Sequence, residues 1–543
     1  MKLKNTGTVY KKTAAFLVCA MLLTGTGGTA AQQFFQNLLP AVIEVSAAEE
    51  DAYDLMRMRW AETLQGSDAA ADDQTSQEII RERVDEAFDQ WQNMEKSTGR
   101  TYLFKGYPEL YNRTAHMTSS YMLLQKMAIA CKMGGGQYLD ERLQQVGSTL
   151  EQFKADLISA LDFMYETCYN ETRPYYPSLQ SDTFNWWDFE IGSPQQLNDI
   201  VVLLYDDLTP EQIEKYMAAV EHFMPDPEKY YFNTGTSTGS NRTNVALVTA
   251  LHGIITKNDV RISSARGALD IVLQYVATGD GFYTDGSFIQ HGNLPYTGGY
   301  GLGLLQSLSG MAYLFEGTAY RIDDPQIGNL YTWMYKSFEP FVNSGMMMDA
   351  VNGRQISRSY NKGNSATMLI SSAIMLSLTA PEPLAADLRS MAKTWAMDEV
   401  ADRQWRTWNQ RPTLFIWNQM CELTADASIP MWETKTEYRQ FASMDRPLYR
   451  QPSYSFSIAM SSSRIANYEN TNGENMQGWH TADGMTYLYN ADDTAYTDAF
   501  WATVDPYRLP GITVVAEESM QGGASGRGCI SESKRAADRR RTA

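Results

Sequence analysis

Apolar side chains recur at helical spacing over most of this chain, from about residue 51 to residue 423. Consecutive amphipathic segments, separated by short polar connectors, are predicted at residues 119–131, 150–169, 210–224, 243–257 and 263–277. Helices with one apolar face pack side by side as hairpins, in an open solenoid or in a closed toroid. No repeat of fixed period is visible, which favours the toroid and not the solenoid. We therefore predict an α/α toroid that comprises residues 49–430.

A change of pattern after about residue 445 predicts a second domain of another class. Residues 454–460 alternate between apolar and polar side chains, and residues 485–490 form a second strand-like segment. We therefore expect an α+β multidomain chain, with a helical domain followed by a β-rich domain over residues 445–516. Residues 517–543 are almost without apolar side chains and end basic, so we expect a disordered or aberrant tail and a truncated β-rich domain.

The N-terminal residues are typical of an export signal. Four lysines precede an apolar run at residues 13–23 that is too short to span a bilayer. We expect a signal peptide over residues 1–48 and a secreted, extracellular protein that is not inserted in a membrane. The net charge of −19 argues against a nucleic-acid partner, although a local arginine cluster can still bind an acidic ligand.

Cysteines and aromatic residues say less about the chemistry. After the signal, the cysteines Cys131, Cys168, Cys421 and Cys529 are scattered without a C-x-x-C pair, so neither a zinc site nor a disulfide framework is predicted. The 12 tryptophans, 32 tyrosines and 20 phenylalanines are more aromatic residues than a soluble chain of this length usually has. Most would pack in the core, and the remainder suit a groove on which sugar rings stack.

The segment at residues 280–300 concentrates residues suited to proton transfer. It holds His291, one of five histidines, nine residues before Tyr300, among glycines and turn formers. Upstream lies the amide of Asn241, and downstream lie Arg354 and Arg358. A phenol, an imidazole, an amide and guanidinium groups are what is needed to remove a proton from a carbon beside a carboxylate.

Cleavage of a uronic-acid glycoside by β-elimination requires such groups, because a proton must be removed from the carbon beside the carboxylate. Donors such as Asn241 and His291 would neutralise the carboxylate, while a base removes the C5 proton. Tyrosine has an ordinary pKa of about 10, and we expect two nearby guanidinium groups in a dry cleft to lower that pKa. The same phenol, once protonated, can then protonate the departing oxygen.

Five motifs in this order resemble those of polysaccharide lyase family 8, which contains hyaluronate, chondroitin AC and xanthan lyases. They are NWWDFEIGSP (185–194), TGSNRTN (238–244), DGFYTDGSFIQHGNLPYTGGYG (280–301), MDAVNGRQISRSY (348–360) and YENTNGENMQGWHTADGMTYLYN (468–490). The resemblance runs from about residue 50 to residue 515.

The resemblance implies an incomplete α/α toroid followed by the start of an antiparallel β-sandwich, with a cleft between them. It also implies roles for individual residues. The catalytic set would be the amide donor Asn241, His291, the base and acid Tyr300, Arg354, and Glu469 from the β-domain. The substrate-binding set would be Asn185, Trp186 and Trp187 as an aromatic patch, with Arg358, Tyr360 and Asn472. Glu469 and Asn472 would reach back from the β-domain to the tyrosine and the arginines. The resemblance implies no required cofactor and no metal in the site, and calcium in the β-domain is left open.

Several alternatives stay open at this point. Tyr296 competes with Tyr300 for the role of base, and the spacing within the motif favours Tyr300. Gly235 stands where hyaluronate lyases have a phenylalanine, although Tyr231 and Phe232 lie close in sequence.

The identity of the polysaccharide substrate is also left open. Residues 186–192 favour an acidic polysaccharide of the hyaluronate or chondroitin type, whereas residues 197–208 and Tyr360 resemble xanthan lyase. A non-catalytic secreted carbohydrate-binding protein and a glycoside hydrolase are further alternatives, the second of which needs a close carboxylate pair. We expect a monomer.

Overall fold

The structure is a computed structural model that describes residues 51–67, 74–174, 184–398, 402, 411–490, 495–497 and 499–514. The predicted export signal and the predicted tail lie outside these residues. Contacts divide the chain into Met1–Leu55, of which residues 51–55 are described, and Met56–Ala543, which holds both the helical part and the main sheet.

Helices form most of the described chain up to residue 425. They are α1 (Ala52–Gln65), α2 (Gln74–Asn93), α3 (Thr114–Lys132), α4 (Gln137–Gln144), α5 (Leu150–Thr167), α6 (Ser193–Leu203), α7 (Pro210–Phe223), α8 (Gly239–Ile255), α9 (Asp259–Gly267), α10 (Leu302–Phe315), α11 (Gly328–Trp333), α12 (Asn361–Ser377), α13 (Leu384–Ala396) and α14 (Leu414–Ala425). A short helix, α15 (Phe500–Thr503), follows the main sheet. Among the helices of the described ranges, none combines the length and the apolar character needed to cross a membrane.

Polar side chains begin several of these helices, as their sequences predict. Thr149 accepts a hydrogen bond from the Gln152 amide at 3.2 Å and begins α5. Thr209 and Gln212 form a reciprocal capping box at the start of α7. Such caps satisfy amide groups that have no partner within the helix, and each contributes roughly 1 kcal/mol.

The helices close into a ring. Helices α3, α6, α8, α10 and α12 contact one another in that order, α12 contacts α14, and α14 contacts α2, which returns to α3. At the closure, Ser76 Oγ of α2 donates to Asn418 Oδ1 of α14 at 3.0 Å, and the Arg83 guanidinium donates to the Pro412 carbonyl at 2.5 Å. An open solenoid keeps its two ends apart, so this contact confirms the toroid.

The predicted helices are confirmed at four of the five segments, and the prediction for residues 263–277 is wrong beyond Gly267. Helix α9 begins after Asn258, whose side chain accepts from two amides of its first turn, and it ends at Gly267. Tight turns follow, with the Leu269 amide donating to the Arg266 carbonyl at 2.9 Å. Leu269 and Leu273 are fully buried there, so apolar spacing imitates a helix where the chain only turns.

Three small antiparallel sheets lie between the helices, and each is a short hairpin or meander. They are β1 (Lys229–Tyr230) with β2 (Gly235–Thr236), then β3 (Gly281–Phe282), β4 (Phe288–Gln290) and β5 (Leu294–Pro295), then β6 (Val342–Asn343) with β7 (Met346–Met347). The three-stranded sheet carries the segment that the sequence singled out for proton transfer.

The main sheet has the antiparallel order β11–β10–β9–β8. Its strands are β8 (Glu437–Phe441), β9 (Arg446–Gln451), β10 (Tyr454–Ala459) and β11 (Met485–Tyr489). Phe456 in the centre pairs with Tyr449 on one side and with Leu488 on the other. The two predicted strands are confirmed as β10 and β11, and the fold class, a helical domain followed by a small sheet-rich domain, is confirmed.

The predicted start of the β-domain at residue 445 is wrong, because β8 already begins at Glu437. Strand β8 lies at the edge of the sheet and reads EYRQF, in which only Phe441 is buried. An edge strand with charged side chains lacks the apolar alternation by which strands are recognised.

A buried ion pair joins the sheet to the helical part. Arg450 of β9 contacts Glu339 at 2.5 Å and Glu437 at 2.7 Å, and the Arg450 and Glu339 side chains are 3% and 6% exposed. The Trp432 indole donates to Glu339 at 2.9 Å. These contacts fix the side of the helical ring that the β-domain approaches.

Candidate active site

The N-terminal ends of successive ring helices lie close to one another. Thr114, the first residue of α3, donates to Asp188 at 2.5 Å, and Asp188 lies in a π-helical turn, Asp188–Gly192, that leads into α6. In that turn, Glu190 accepts hydrogen bonds from the amides of Tyr231 and Phe232, which precede α8.

The same proximity continues around the ring. A Cβ atom placed on Gly303, in the first turn of α10, would lie 2.9 Å from Ser240 Oγ at the start of α8. A Cβ atom on Gly299, just before α10, would lie 3.0 Å from Gln355, just before α12. The positive ends of five helix dipoles therefore share one region of the toroid, which favours negatively charged groups there.

The segment from Phe288 to Gly301 brings one imidazole and two phenols together. Strand β4 ends before His291, whose φ of 56° places it in the left-handed region, and Thr297–Gly301 forms a π-helical turn before α10. The Tyr300 ring centroid lies 4.8 Å from that of His291 and 4.9 Å from that of Tyr296. These three side chains thus meet within ten residues of chain.

Asn241 lies in the first turn of α8 and is 8% exposed. Helix α8 contacts the π-helical turn that carries Tyr300. The structure therefore brings the predicted amide donor beside the segment of the predicted phenol and imidazole.

Asp280 joins these two segments, and sequence reasoning did not single it out. Its carboxylate accepts from Thr238 Oγ1 at 2.7 Å, from Gln290 Nε2 at 2.9 Å and from the Gly292 amide at 2.6 Å. Thr238 immediately precedes α8, and the other two donors flank His291. The only sequence signal was its place at the start of the glycine-rich motif.

Arg354 contacts both tyrosines. Its Nη2 donates to the Tyr300 hydroxyl at 3.0 Å, and its guanidinium carbon lies 5.5 Å from the centre of that ring. Its backbone amide donates to the Tyr296 hydroxyl at 3.0 Å. Tyr296 is fully buried, whereas Tyr300 is partly exposed. Of the two phenols, Tyr300 is therefore the one that a molecule in the cleft can reach.

Glu469 reaches this cluster from the β-domain. It accepts from His291 Nδ1 at 2.6 Å, from Arg354 Nη1 at 2.7 Å and from the Tyr296 hydroxyl. Burial raises the pKa of this carboxyl group, but the hydrogen bonds and the positive charge around it prevail and hold its pKa at about 2. Glu469 is thus an ionised carboxylate that orients the imidazole and the guanidinium.

The predicted contact between Asn472 and the arginines is wrong, because Glu474 makes it. Glu474 accepts from Arg354 Nε at 2.7 Å and from Arg358 Nε at 2.9 Å and Nη2 at 3.0 Å. Asn472 is exposed at the tip of a turn, with a φ of 58° that asparagine tolerates better than most residues. Which side chain of the motif points inward depends on the turn, and the sequence alone does not specify it.

The expectation of a lowered pKa for Tyr300 is also wrong. Burial raises the pKa of Tyr300 above 10, although Arg354 and Arg358 act in the opposite direction. Glu469, which pairs with Arg354, also raises the pKa of Tyr300. The arginines thus limit the rise without reversing it.

The predicted aromatic patch lies just before α6. The Trp187 side chain is 36% exposed, and the Trp186 ring lies edge-on to Tyr230 with centroids 5.0 Å apart. Asn185 accepts from the Trp187 amide at 3.1 Å. Tyr360, at the start of α12, is 47% exposed.

A metal site does not follow from the described part of the chain, in which no cluster of three or more His, Cys, Asp or Glu side chains has the geometry to hold an ion.

Comparisons with known proteins agree with this arrangement. Residues 60–394 match the model of the polysaccharide lyase family 8 N-terminal α-helical domain, and residues 436–539 match its super-sandwich domain. A hyaluronate lyase of Thermasporomyces composti is 37% identical over 482 residues, which cover 88% of this chain and 58% of that protein. A xanthan lyase of Bacillus sp. (strain GL1) is 33% identical over 514 residues, which cover 93% of this chain and 50% of that protein.

Solved structures show the same likeness. A Paenibacillus xanthan lyase superposes with a TM-score of 0.76 at 35% identity, covering 88% of this chain and 43% of that one. A Streptomyces coelicolor chondroitin AC lyase in complex with chondroitin sulphate superposes with a TM-score of 0.76 at 31% identity, covering 86% and 62%. The chain thus spans about two fifths to three fifths of the length of these relatives. It belongs to polysaccharide lyase family 8.

Proposed function

We propose that this protein is a secreted lyase that cleaves a uronic-acid-containing polysaccharide by β-elimination and leaves a 4,5-unsaturated uronate. The observation that carries the proposal is the Tyr300 hydroxyl, partly exposed and held at 3.0 Å by Arg354, beside an imidazole that Glu469 orients. Export rests on the N-terminal sequence, which lies outside the described residues.

The proposed mechanism assigns one task to each group. Asn241 and His291 would bind the uronate carboxylate and stabilise the charge that develops on it. A single preorganised donor of this kind lowers the free-energy barrier by roughly 3–4 kcal/mol. Tyr300 as phenolate would then remove the C5 proton, and the same hydroxyl would protonate the departing glycosidic oxygen.

Arg354 supports Tyr300 in this scheme, since its donated hydrogen bond stabilises the phenolate more than the neutral phenol. The burial that raises the pKa of Tyr300 has the opposite effect and leaves a small ionised fraction at neutral pH. Proton abstraction should therefore accelerate as the pH rises toward the pKa of Tyr300.

For the polymer, we propose hyaluronate or chondroitin as the substrate. Trp186 and Trp187 offer rings at the edge of the region to which the helix dipoles point, and this region suits an acidic chain. The alternative is xanthan, which the exposed Tyr360 beside Arg358 favours.

The test is to incubate the purified full chain with hyaluronan, chondroitin sulfate and xanthan, and to follow the ultraviolet absorbance of the unsaturated product. Tyr300→Phe should abolish turnover while binding of the polymer in an affinity gel stays close to wild type. Tyr296→Phe is the matched control, because it removes a buried hydroxyl from the same cluster and should leave measurable turnover.

Other outcomes would lead to other functions. Turnover that survives in Tyr300→Phe but not in Tyr296→Phe would move the base to the buried phenol. Binding without any absorbance change would favour a non-catalytic carbohydrate-binding protein. New reducing ends without the chromophore would indicate a hydrolase.

A further inference from the structure

Two segments of the candidate active site fit into each other at their glycines. In the π-helical turn Thr297–Gly301, a Cβ atom on Gly298 would overlap Asn352 Oδ1, so the Asn352 side chain occupies the space that a side chain would need there. In the other direction, a Cβ atom on Gly353 would overlap the Tyr296 ring. Each segment therefore leaves room for a side chain of the other, and in a close-packed interior a shift of one displaces the other.

Asn352 is held in its place by Asp349. Asn352 is fully buried, and its Nδ2 donates to Asp349 Oδ1 at 3.0 Å. The same Asp349 oxygen forms an ion pair with Lys362 Nζ of α12 at 2.7 Å, and Asp349 Oδ2 accepts from the Trp501 indole of α15 at 3.0 Å. The Asp349 amide donates to the Tyr489 hydroxyl of β11 at 2.9 Å. One buried residue thus ties its own loop to a ring helix and to two elements of the β-domain.

The loop that Asp349 holds also carries Arg354. Asp349–Val351 and Gly353–Ser357 form two consecutive 3₁₀ turns, and Arg354 lies in the second of them. Arg354 Nη2 donates to the Tyr300 hydroxyl at 3.0 Å, and Tyr300 lies in the π-helical turn against which this loop fits. The length of that hydrogen bond therefore depends on how the two segments fit together, and Asp349 keeps one of them in place.

We propose that Asp349 is a positioning residue for the base, because it fixes Asn352 and its loop and so sets the hydrogen bond between Arg354 and Tyr300. The inference rests on the proposed function, in which Tyr300 removes the proton. A misplaced base slows the chemical step more than it weakens binding of the polymer. The effect of Asp349 is therefore expected on kcat, with little change in KM.

The experiment compares Asp349→Asn and Asn352→Ala with the wild type on the polymer that the wild type cleaves. Asparagine keeps the shape of Asp349, but its amino group replaces one of two accepting oxygens, so a donor of the loop or of the β-domain loses its acceptor. Asn352→Ala keeps the ion pair with Lys362 and removes the side chain that fits against Gly298. Each variant should lower kcat roughly tenfold or more, with KM within about twofold of the wild-type value.

The pH profile distinguishes a positioning role from a loss of folded protein. Burial raises the pKa of Tyr300 and Arg354 opposes that rise. A weaker hydrogen bond from Arg354 should therefore raise this pKa further and move the alkaline increase of kcat/KM to higher pH. A loss of folded protein lowers the rate by the same factor at every pH. The charged and titratable side chains that face Tyr300 are the same in both variants as in the wild type: His291, Tyr296, Arg354, Arg358 and Glu469.

Two further variants separate stability from positioning. Asp349→Asn removes the charged partner of the buried Lys362, which should destabilise the fold. The double variant Asp349→Asn/Lys362→Met also removes that unpaired charge, so it should recover stability in urea unfolding without recovering kcat. Glu339→Gln is the matched control, because it removes a carboxylate from another buried ion pair between the sheet and the helical part. It should lower stability, while kcat and the pH profile of the folded protein stay at wild-type values.

Amide hydrogen exchange over residues 297–301 gives a readout without polymer. The Gly299 and Gly301 amides both donate to the Tyr296 carbonyl in this turn, at 3.1 and 2.9 Å. Their exchange should accelerate in Asp349→Asn and in Asn352→Ala but not in Glu339→Gln, since only the first two changes loosen the turn.

An unchanged kcat in either variant, an unmoved pH profile, or recovery of kcat together with stability in Asp349→Asn/Lys362→Met would overturn the inference while the lyase activity stands. If the wild type forms no unsaturated product, the proposed function fails. Wild-type exchange rates over residues 297–301 in Asp349→Asn would then overturn the inference separately.

Discussion

Replacing Glu469 by glutamine should cost about 3 kcal/mol of folding free energy at neutral pH. The structure holds the pKa of this carboxyl group at about 2, against an ordinary value of 4.5. The difference, 4.5 − 2, multiplied by about 1.4 kcal/mol for each pH unit gives about 3 kcal/mol. Glutamine keeps the shape of the side chain and removes the charge that His291 and Arg354 stabilise.

The sign of the pH dependence follows from the lowered pKa. Because the folded state binds the proton more weakly than the unfolded state, the contribution is complete above the unfolded pKa of about 4.5 and is lost as the pH falls toward 2. The advantage of the wild type over Glu469→Gln should therefore shrink by about 1.4 kcal/mol for each pH unit in that window.

Urea unfolding at a series of pH values measures this difference by linear extrapolation, provided that both proteins show the same m value. Glu151→Gln is the control, since that side chain is 86% exposed and its ion pair with Lys154 contributes at most about 1 kcal/mol. A constant difference between wild type and Glu469→Gln from about pH 5 to about pH 2.5 would refute the reasoning.

Three further predictions concern positioning, stability and pH. Asp280→Asn should lower kcat about tenfold with little change in KM, because it loosens the segments of Asn241 and His291; unchanged initial rates would contradict this. Glu339→Gln should destabilise the fold by about 3 kcal/mol in urea unfolding, since it leaves the buried Arg450 with Glu437 as its remaining charged partner. Glu382 pairs with Arg389 at the surface, so Glu382→Gln should leave stability nearly unchanged, and equal effects of the two variants would count against the buried pair. With the pKa of Tyr300 raised, kcat/KM should increase with pH on the alkaline side, and a flat profile would argue for another base.

The main elements of the fold were predictable because they depend on local periodicity. Helical spacing identified α3, α5, α7 and α8, alternation identified β10, and a strand-like segment identified β11. The same criterion failed at residues 268–277, where buried leucines occupy turns, and at β8, where a polar edge strand shows no apolar alternation. Both failures have one cause, since the neighbours in space, and not those in sequence, decide what each segment buries.

The candidate site divides in the same way. The sequence places His291, Tyr296 and Tyr300 in one glycine-rich segment, and the turns that such a segment favours bring their side chains together. The sequence alone could not indicate that Glu469 binds His291 and Arg354, because 178 and 115 positions separate these partners. Only the closed ring and the sheet packed against it bring them within hydrogen-bond distance.

The direction in which the pKa of Tyr300 shifts also depends on the tertiary structure. Counting arginines in the sequence predicts a lowered pKa, whereas burial, together with the charge of Glu469, raises it. Residue types therefore determine which chemistry is available to this chain. Burial and long-range pairing determine which tyrosine hydroxyl a substrate can reach, in which direction its pKa shifts and which side chains hold it in place.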